Sequence, residues 1–491
     1  MRNLDQDWLA SYPASLREAL AAVAERFSIP LYIAGGAVRD WLAGKPCRDL
    51  DIASAVDGLL CADFLAKRLG GAFVPLDENE GVARVVWDGY EIDFSRFREG
   101  TETIEADLAR RDFTINSLGV AIDSKSGGLL PPYRIIDPAG GLEDLASRRV
   151  RVTGDDVFKA DPLRLLRAYR FVAGLDYKLD KNTEKLIVAQ VALLCNTARE
   201  RVASEFDLIM ISPRSADTIQ LMVESGLFWE IFPELRSGEG MKQPASHHLD
   251  VFNHNLEALR YMEKLIADPE QWYPDHGEQF ADYLADSKRV GWLKWAALFH
   301  DLGKPACRRI RDGRVTFYNH DQAGGRFFMD TARRLRWSKD DGKQVSRLIK
   351  NHMWPFHLSN ARRKTHITPR ACLRLVKAAG DELQGLFLLA MADSLAGAGP
   401  EKPENMEAEL ADLYKQVDLV YQQSIRPVLE NGRLLSGHDL IKEFELKPGK
   451  MIGEILQGLE AAQVAGEIVD RNDAEKWVRD FIATSKKGKI H

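Results

Sequence analysis

Cysteine is scarce in this chain. The five residues, Cys47, Cys61, Cys195, Cys307 and Cys372, lie far apart and form no CxxC pair. Neither a disulfide framework nor a thiolate zinc site is implied. Long apolar runs are missing too: none approaches the roughly 18 residues that would mark a membrane span. The opening MRNLDQDWLASYP lacks the basic start and apolar core of a secretory signal. These absences lead to the expectation of a cytoplasmic protein with no membrane partner. Positive charge is also in deficit, with a formal net charge of −6, which taken alone disfavours a nucleic-acid partner.

The distribution of that charge points the other way. Between Asp301 and Lys377 there are 19 lysines and arginines against 6 aspartates and glutamates, while the remainder has 48 against 67. A basic stretch in an acidic chain is the footprint expected of a polyanion site, although solvated helix faces give the same count. The bulk composition, 45% hydrophobic and 29% charged over 491 residues, is that of a globular protein with about three or four domains.

The pattern along the chain is mixed at first and then helical. Residues 1–30 read as an amphipathic helix ending at Pro30. LYIAGG (31–36) reads as a buried strand entering a tight turn, AVRDWLAG (37–44) as a short helix, and DLDIAS (49–54) as an alternating strand. VARVVW and YEIDFSRF flank Asp88-Gly89 as a hairpin. After Asp155 the period is helical almost throughout, with RVTFY (314–318) a weak strand signal. Boundaries are expected near 150, near Pro233–Pro244 and in AGAGPEKPEN (396–405).

Asp49 and Asp51 flank Leu50 on the expected strand, so both side chains share a face. Two adjacent carboxylates repel unless a cation lies between them, and hard cations such as Mg²⁺ prefer oxygen donors. Asp93, on the hairpin strand, offers a third acid. Such a set suits metal-assisted phosphoryl or nucleotidyl transfer. Gly35-Gly36 precedes a helix, an arrangement that lets backbone N–H groups approach a phosphate, and Arg39 follows as a clamp. Each piece alone is weak. The ordered string GGAVRDWLAG…RDLDIAS is far more specific.

That string resembles the signature of the class II tRNA nucleotidyltransferase and bacterial poly(A) polymerase family. RRDFTIN (110–116) resembles the family's next motif, which implies that Arg111, Asp112 and Asn116 organise the nucleotide's sugar and phosphates. In DPLRLLRAYRF, Asp161 and Arg164 are expected on one face of a helix, with Arg167 and Arg170 continuing the stripe. The resemblance implies that Asp161 and Arg164 read the base of CTP or ATP and that Arg167 assists. Ala160 stands where the family usually has Glu. The segment between Asp93 and RRDF is short (98–109), as in members that add only part of CCA. ERVASEF (200–206) resembles the motif supporting the base-reading helix.

A second constellation lies downstream. His300 and Asp301, in HDLGKP, are joined by His254, His320, His352 and Asp393 at helical positions, a plausible metal cluster. It resembles the HD phosphohydrolase superfamily. That likeness implies a divalent metal, a transition metal by donor type, on His254, His300, Asp301 and Asp393, with His320 and His352 suited to a second ion. Residues 434–468 resemble the family's C-terminal tRNA-binding segment, whereas 267–291 reads as an acidic insertion.

The expected architecture is a polymerase-β-like α/β nucleotidyltransferase head (28–150), an all-α neck (151–235), an HD domain (236–395) and a helical C-terminal body (396–491). The expected reaction is template-independent addition of C and/or A to tRNA, using CTP or ATP with Mg²⁺. Poly(A) addition to another RNA 3′ end is the nearest rival. A metal phosphohydrolase with an RNA- or nucleotide-binding head is a more distant one.

Overall fold

The alternation in DLDIAS becomes β2 (Asp49–Ser54), and the strands around it build one sheet: β1 (Tyr32–Ala34), β3 (Ala72–Asp77), β4 (Val82–Trp87), β5 (Tyr90–Arg96) and β6 (Gly119–Ala121). Their order is β3-β4-β5-β2-β1-β6. β2 and β5 run parallel, and the other neighbours antiparallel. The β4–β5 turn places Asp88 and Gly89 at φ 47° and 76°, the left-handed pair that tight hairpins need.

One face of the sheet makes the core. Leu50, Ile52, Ile92 and Phe94 bury against helices Ala14–Phe27 and Gly58–Leu69, through Leu16, Leu20, Val23, Cys61 and Leu65. Strand period then sends Asp49, Asp51 and Asp93 to the opposite face. The first helix starts only at Ala14. Pro13 stands just ahead of it, and Trp8–Ser11 forms a separate 3₁₀ turn. Proline suits a helix start and not its interior.

The computed structural model describes residues 3–487, so most of the basic SKKGKIH end (485–491) lies outside the described residues. Two compact units result: Met1–Ile209 with Leu221–Ile231, and Met210–Gln220 with Phe232–His491. The first joins the sheet to helices Arg164–Leu175 and Lys181–Gln190 and most of Arg199–Met210.

Among the described residues, the second unit is helical apart from a hairpin, Arg309–Arg311 with Arg314–Thr316, of which the sequence signalled one strand. Helix Leu383–Ala396 is apolar all round and buried nearly throughout, as a central helix must be. The 267–291 stretch is acidic but not peripheral. Tyr273 is 1% exposed, stacks on Phe280 and donates its hydroxyl to the Phe387 carbonyl at 2.8 Å. Helices Gly437–Glu443, Lys450–Val464 and Arg471–Lys487 share a smaller core around Leu440, Ile455, Leu459 and Val478. Among the described residues, no helix is long and apolar enough to cross a membrane.

Candidate functional site

Asp49 and Asp51 open into a cavity of about 460 Å³ in the first unit. Parallel pairing sets Asp51 beside Asp93. Asp93 is already engaged: Arg84, its partner on β4, donates Nε and Nη2 to the two carboxylate oxygens at 2.8 and 2.9 Å and also pairs with Glu91. Asp49 and Asp51 have no ion-pair partner among the described residues. Both reach solvent, yet the cavity wall desolvates them and lifts both carboxyls above the usual range. Glu91 adds to this at Asp49; at Asp51, Arg111 opposes it and Asp93 reinforces it. Two oxygen donors side by side, neither held in an ion pair among the described residues, fit a hard divalent cation.

The rest of the lining is basic. Gly35, at φ +81°, closes β1; a Cβ there would lie 2.9 Å from Asp51 Oδ2 and 3.0 Å from Arg111 Nη1. A side chain at this point would fill the space between carboxylate and guanidinium. Gly36 begins the helix Gly36–Leu42. Arg39 donates to Asn116 Oδ1 at 2.7 Å and to Asp40 at 3.0 Å, and lies over Phe171. Asp112 pairs with Arg167 at 2.7 Å and accepts from the Phe113 N–H. Burial would raise its pKa, but Arg167 and that hydrogen bond outweigh it and hold the carboxyl low.

Asp161 and Arg164 do not share a helix face. The helix begins at Arg164, and Asp161 has extended backbone (φ −148°, ψ 103°). Pro162 immediately follows it, and a residue before proline is disfavoured in helical geometry. Asp161 accepts from the Leu163 N–H at 3.2 Å and pairs with Arg201 at 3.0 Å. Arg164, Arg167 and Arg170 line the cavity, while Asp161 is not among the lining residues. Glu205 pairs with Arg170 at 3.2 Å. ERVASEF therefore holds two of the helix-region side chains through Arg201 and Glu205.

In the second unit, five helices deliver His254, His300, His320, His352 and Asp393 to Asp301. His254 Nε2 lies 2.9 Å from Asp393, and His300 Nε2 lies 3.3 Å from Asp301 and 3.6 Å from Asp393. On the other side His320 Nε2 is 3.2 Å from Asp301 Oδ1 and 3.2 Å from His352 Nε2. His300, His320 and His352 each turn Nδ1 toward a carbonyl three residues back, at 2.9, 2.8 and 2.6 Å. That leaves Nε2 facing inward, the orientation metal-ligating histidines adopt. His300 Nε2 and both Asp301 oxygens are buried without a well-formed hydrogen bond, although Lys304 Nζ lies 2.5 Å from Asp301. Burial disfavours charge on His300, but Asp301 and Asp393 outweigh it and lift the imidazole to about 10. The centre calls for a cation, and its mixed nitrogen and oxygen donors fit a divalent transition metal.

Comparison with known proteins matches four stretches of the chain to family models. Residues 31–151 match the poly(A) polymerase head domain, and 176–238 match a family described as the "probable RNA and SrmB-binding site of polymerase A". Residues 251–396 match the HD domain, and 403–477 match tRNA nucleotidyltransferase domain 2. The A-adding tRNA nucleotidyltransferase of Deinococcus radiodurans is 34% identical over 91% of this chain and 94% of its own. The chain belongs to the tRNA nucleotidyltransferase family. The CC-adding enzyme of Thermus thermophilus is 30% identical over 90% of this chain and 92% of its own. The fold is shared with the structure of the Thermotoga maritima CCA-adding enzyme complexed with tRNA, at TM-score 0.62 and 22% identity over 98% of this chain and 99% of that one.

In this tRNA nucleotidyltransferase family member, several cavity residues escaped the sequence reading. Arg84 and Arg98 line the cavity, and Asp107 is fully buried. Asp107 accepts from the Arg98 backbone N–H at 2.9 Å and pairs with Arg98 and Arg111 at 3.4 and 3.3 Å. Burial and the nearby Arg111 lower Arg98 to about 10. The one available signal was the i, i+4 spacing of Asp107 and Arg111, which spans the end of the short helix Ile104–Ala109. His247, which shares a possible ligand group with His254 and Asp393, stands in the Pro-rich boundary and gave no signal.

Proposed function

We propose that the chain adds C, A or both to the 3′ end of tRNA without a nucleic-acid template, using CTP or ATP. The carrying observation is the meeting, in one cavity, of Asp49 and Asp51, the Gly35-Gly36 turn and a set of arginines. Relatives aligned over nine-tenths of the chain are tRNA nucleotidyltransferases. Poly(A) addition has less support, because 403–477 matches a tRNA nucleotidyltransferase domain.

In the reaction, the RNA 3′-oxygen bonds to the α-phosphorus as the bond to the β-phosphate's bridging oxygen breaks, and pyrophosphate leaves. Asp49 and Asp51 would hold Mg²⁺, which when bound lowers the pKa of the attacking hydroxyl and neutralises phosphate charge. Asp93, clamped by Arg84, supports Asp51 across the sheet. Gly35 and Gly36 leave room for phosphate oxygens, which Arg39 and Arg111 contact. Asp112 and Asn116 orient the ribose, and Arg167 and Arg39 are held on them. Arg164 donates to the ring nitrogen of C or A, and Asp161, steadied by Arg201, accepts from the exocyclic amine. G and U offer a carbonyl there, which would face the Asp161 carboxylate with no donor between the two acceptors, at about 1–3 kcal/mol.

The buried, poorly satisfied atoms at His300 and Asp301 favour a second activity. His254, His300, Asp301 and Asp393 would hold a transition metal, with His320 and His352 for a second ion, and hydrolyse phosphoesters. The proposed division is head 28–150, neck 151–235, HD domain 236–395 and tRNA-binding body 396–491.

The deciding experiment supplies tRNAs ending at the discriminator base, in C or in CC, with CTP and ATP separately. The short 98–109 segment, pinned through Asp107, favours extension with only one of the two nucleotides. No extension of any tRNA by either nucleotide overturns the reading.

A further inference from the structure

Much of the basic excess in residues 301–377 is neutralised by distant acids. Arg334 pairs with Glu234, Arg363 with Glu409, Arg370 with Glu467 and Lys377 with Glu460. The hairpin Arg309–Thr316 is different. Arg309, Arg311 and Arg314 are exposed and form no ion pair among the described residues. The register sets Arg314 opposite Arg311 and Thr316 opposite Arg309, so strand period puts all three arginines on one face. Holding three like charges on one face of a two-stranded hairpin costs repulsion.

The hairpin leads directly into the wall of the histidine–aspartate cavity. That cavity, about 550 Å³, is lined by Phe317, Tyr318 and Phe356 together with Asp301, Lys304 and His320. Phe317 also fixes the centre, its carbonyl accepting from His320 Nδ1 at 2.8 Å. Tyr318 remains 65% exposed with the Arg311 guanidinium 5.0 Å from its ring centroid. An exposed aromatic beside unpaired arginines, at the mouth of a nucleotide-sized cavity, is a stacking platform with a phosphate track.

We propose that the hairpin Arg309–Thr316 and Tyr318 form a docking surface for single-stranded RNA, delivering its 3′ end to the histidine–aspartate cavity. The arginines follow successive phosphates, and Tyr318 stacks on a base near the end. Duplex RNA does not fit this surface, because its bases are already stacked and cannot lie on the ring. The proposal rests on the reading of RNA as the partner, and it is tested by binding, separately from nucleotide addition and hydrolysis.

The full chain is titrated with a fluorescent single-stranded RNA hexamer ending in a 3′-deoxynucleotide, which offers neither a hydroxyl for extension nor a terminal phosphate for hydrolysis, over a series of salt concentrations. Joint substitution Arg309→Gln, Arg311→Gln and Arg314→Gln should weaken binding and flatten the slope of log affinity against log salt by ~2, at about 0.7 per phosphate contact. Tyr318→Leu should weaken binding about tenfold with the slope unchanged. The triple lysine variant should keep the slope, and thermal melting like wild type should show that the variants are folded. A 4-thiouridine at the hexamer's 3′ end should crosslink within residues 309–321. Unchanged affinity and slope in both variants, crosslinking confined to the head, or equal competition by duplex RNA overturns the proposal.

Discussion

The head cavity and the histidine–aspartate centre solve the same electrostatic problem in opposite ways. Asp49 and Asp51 reach solvent and form no ion pair among the described residues, while arginines stand around them to receive a polyanion. In the HD centre, by contrast, the acids are buried, imidazoles crowd them, and Lys304 sits on Asp301. An open pair of carboxylates suits a cation exchanged with each nucleotide. A closed set of imidazole and carboxylate donors suits a resident metal. The difference teaches that burial and donor type, more than the number of acids, separate the transfer site proposed for the head from the hydrolytic site proposed for the HD domain.

The comparison breaks most sharply at Asp51. Asp51→Ala should lower nucleotide addition about 10³-fold or more by removing an oxygen donor, with HD-centre hydrolysis unchanged. Single-turnover extension of tRNA measures the first and release of phosphate from phosphoesters the second. Near-wild-type addition would remove Asp51 from the site.

The reciprocal test acts on the other centre. Replacing His300 and Asp301 together by Ala should abolish transition-metal binding, read by elemental analysis, and all metal-stimulated hydrolysis. Addition should stay within about twofold, because the donors of the two sites are separate. Loss of addition in a variant that remains folded by circular dichroism would show that the centres are coupled.

A smaller effect is expected at Asp107, which serves only the head. Asp107→Ala leaves Arg98 and Arg111 without their shared carboxylate and should cost about 3 kcal/mol of stability. Denaturant unfolding reads this, and the KM for CTP or ATP should rise about tenfold. Asp107→Asn, which keeps an acceptor for the Arg98 N–H, should recover part of both. Equal behaviour of the two variants would contradict the pinning role.

The smallest change concerns base choice. Asp161→Ala should reduce discrimination against UTP and GTP about tenfold, for a loss of ~1.4 kcal/mol, with little change in triphosphate affinity. Competition among the four nucleotides decides it, and unchanged preference would leave Asp161 as only the partner of Arg201.

Local chemistry was legible wherever local spacing governed it. Period two on DLDIAS predicted that Asp49 and Asp51 share a face, the Asp88-Gly89 hairpin appeared where its turn residues stood, and the glycine turn preceded its helix. The reading failed at Asp161, where Pro162 displaced the expected helix start, and the acidity of 267–291 gave no hint that Tyr273 and Phe280 are buried there.

By itself the sequence marked the acids, glycines and arginines of the candidate sites and, at Asp49 and Asp51, the face they share, because side-chain direction along a strand follows from the two-residue period of the backbone. Only the tertiary structure decided which of them are satisfied. Arg84 neutralises Asp93 through strand pairing, Arg201 meets Asp161 from 40 residues away, and Asp107 joins two arginines beneath the cavity. Those partners are set by packing between elements distant in the chain, and ion pairing acts over a few ångströms of space, whatever the separation in sequence.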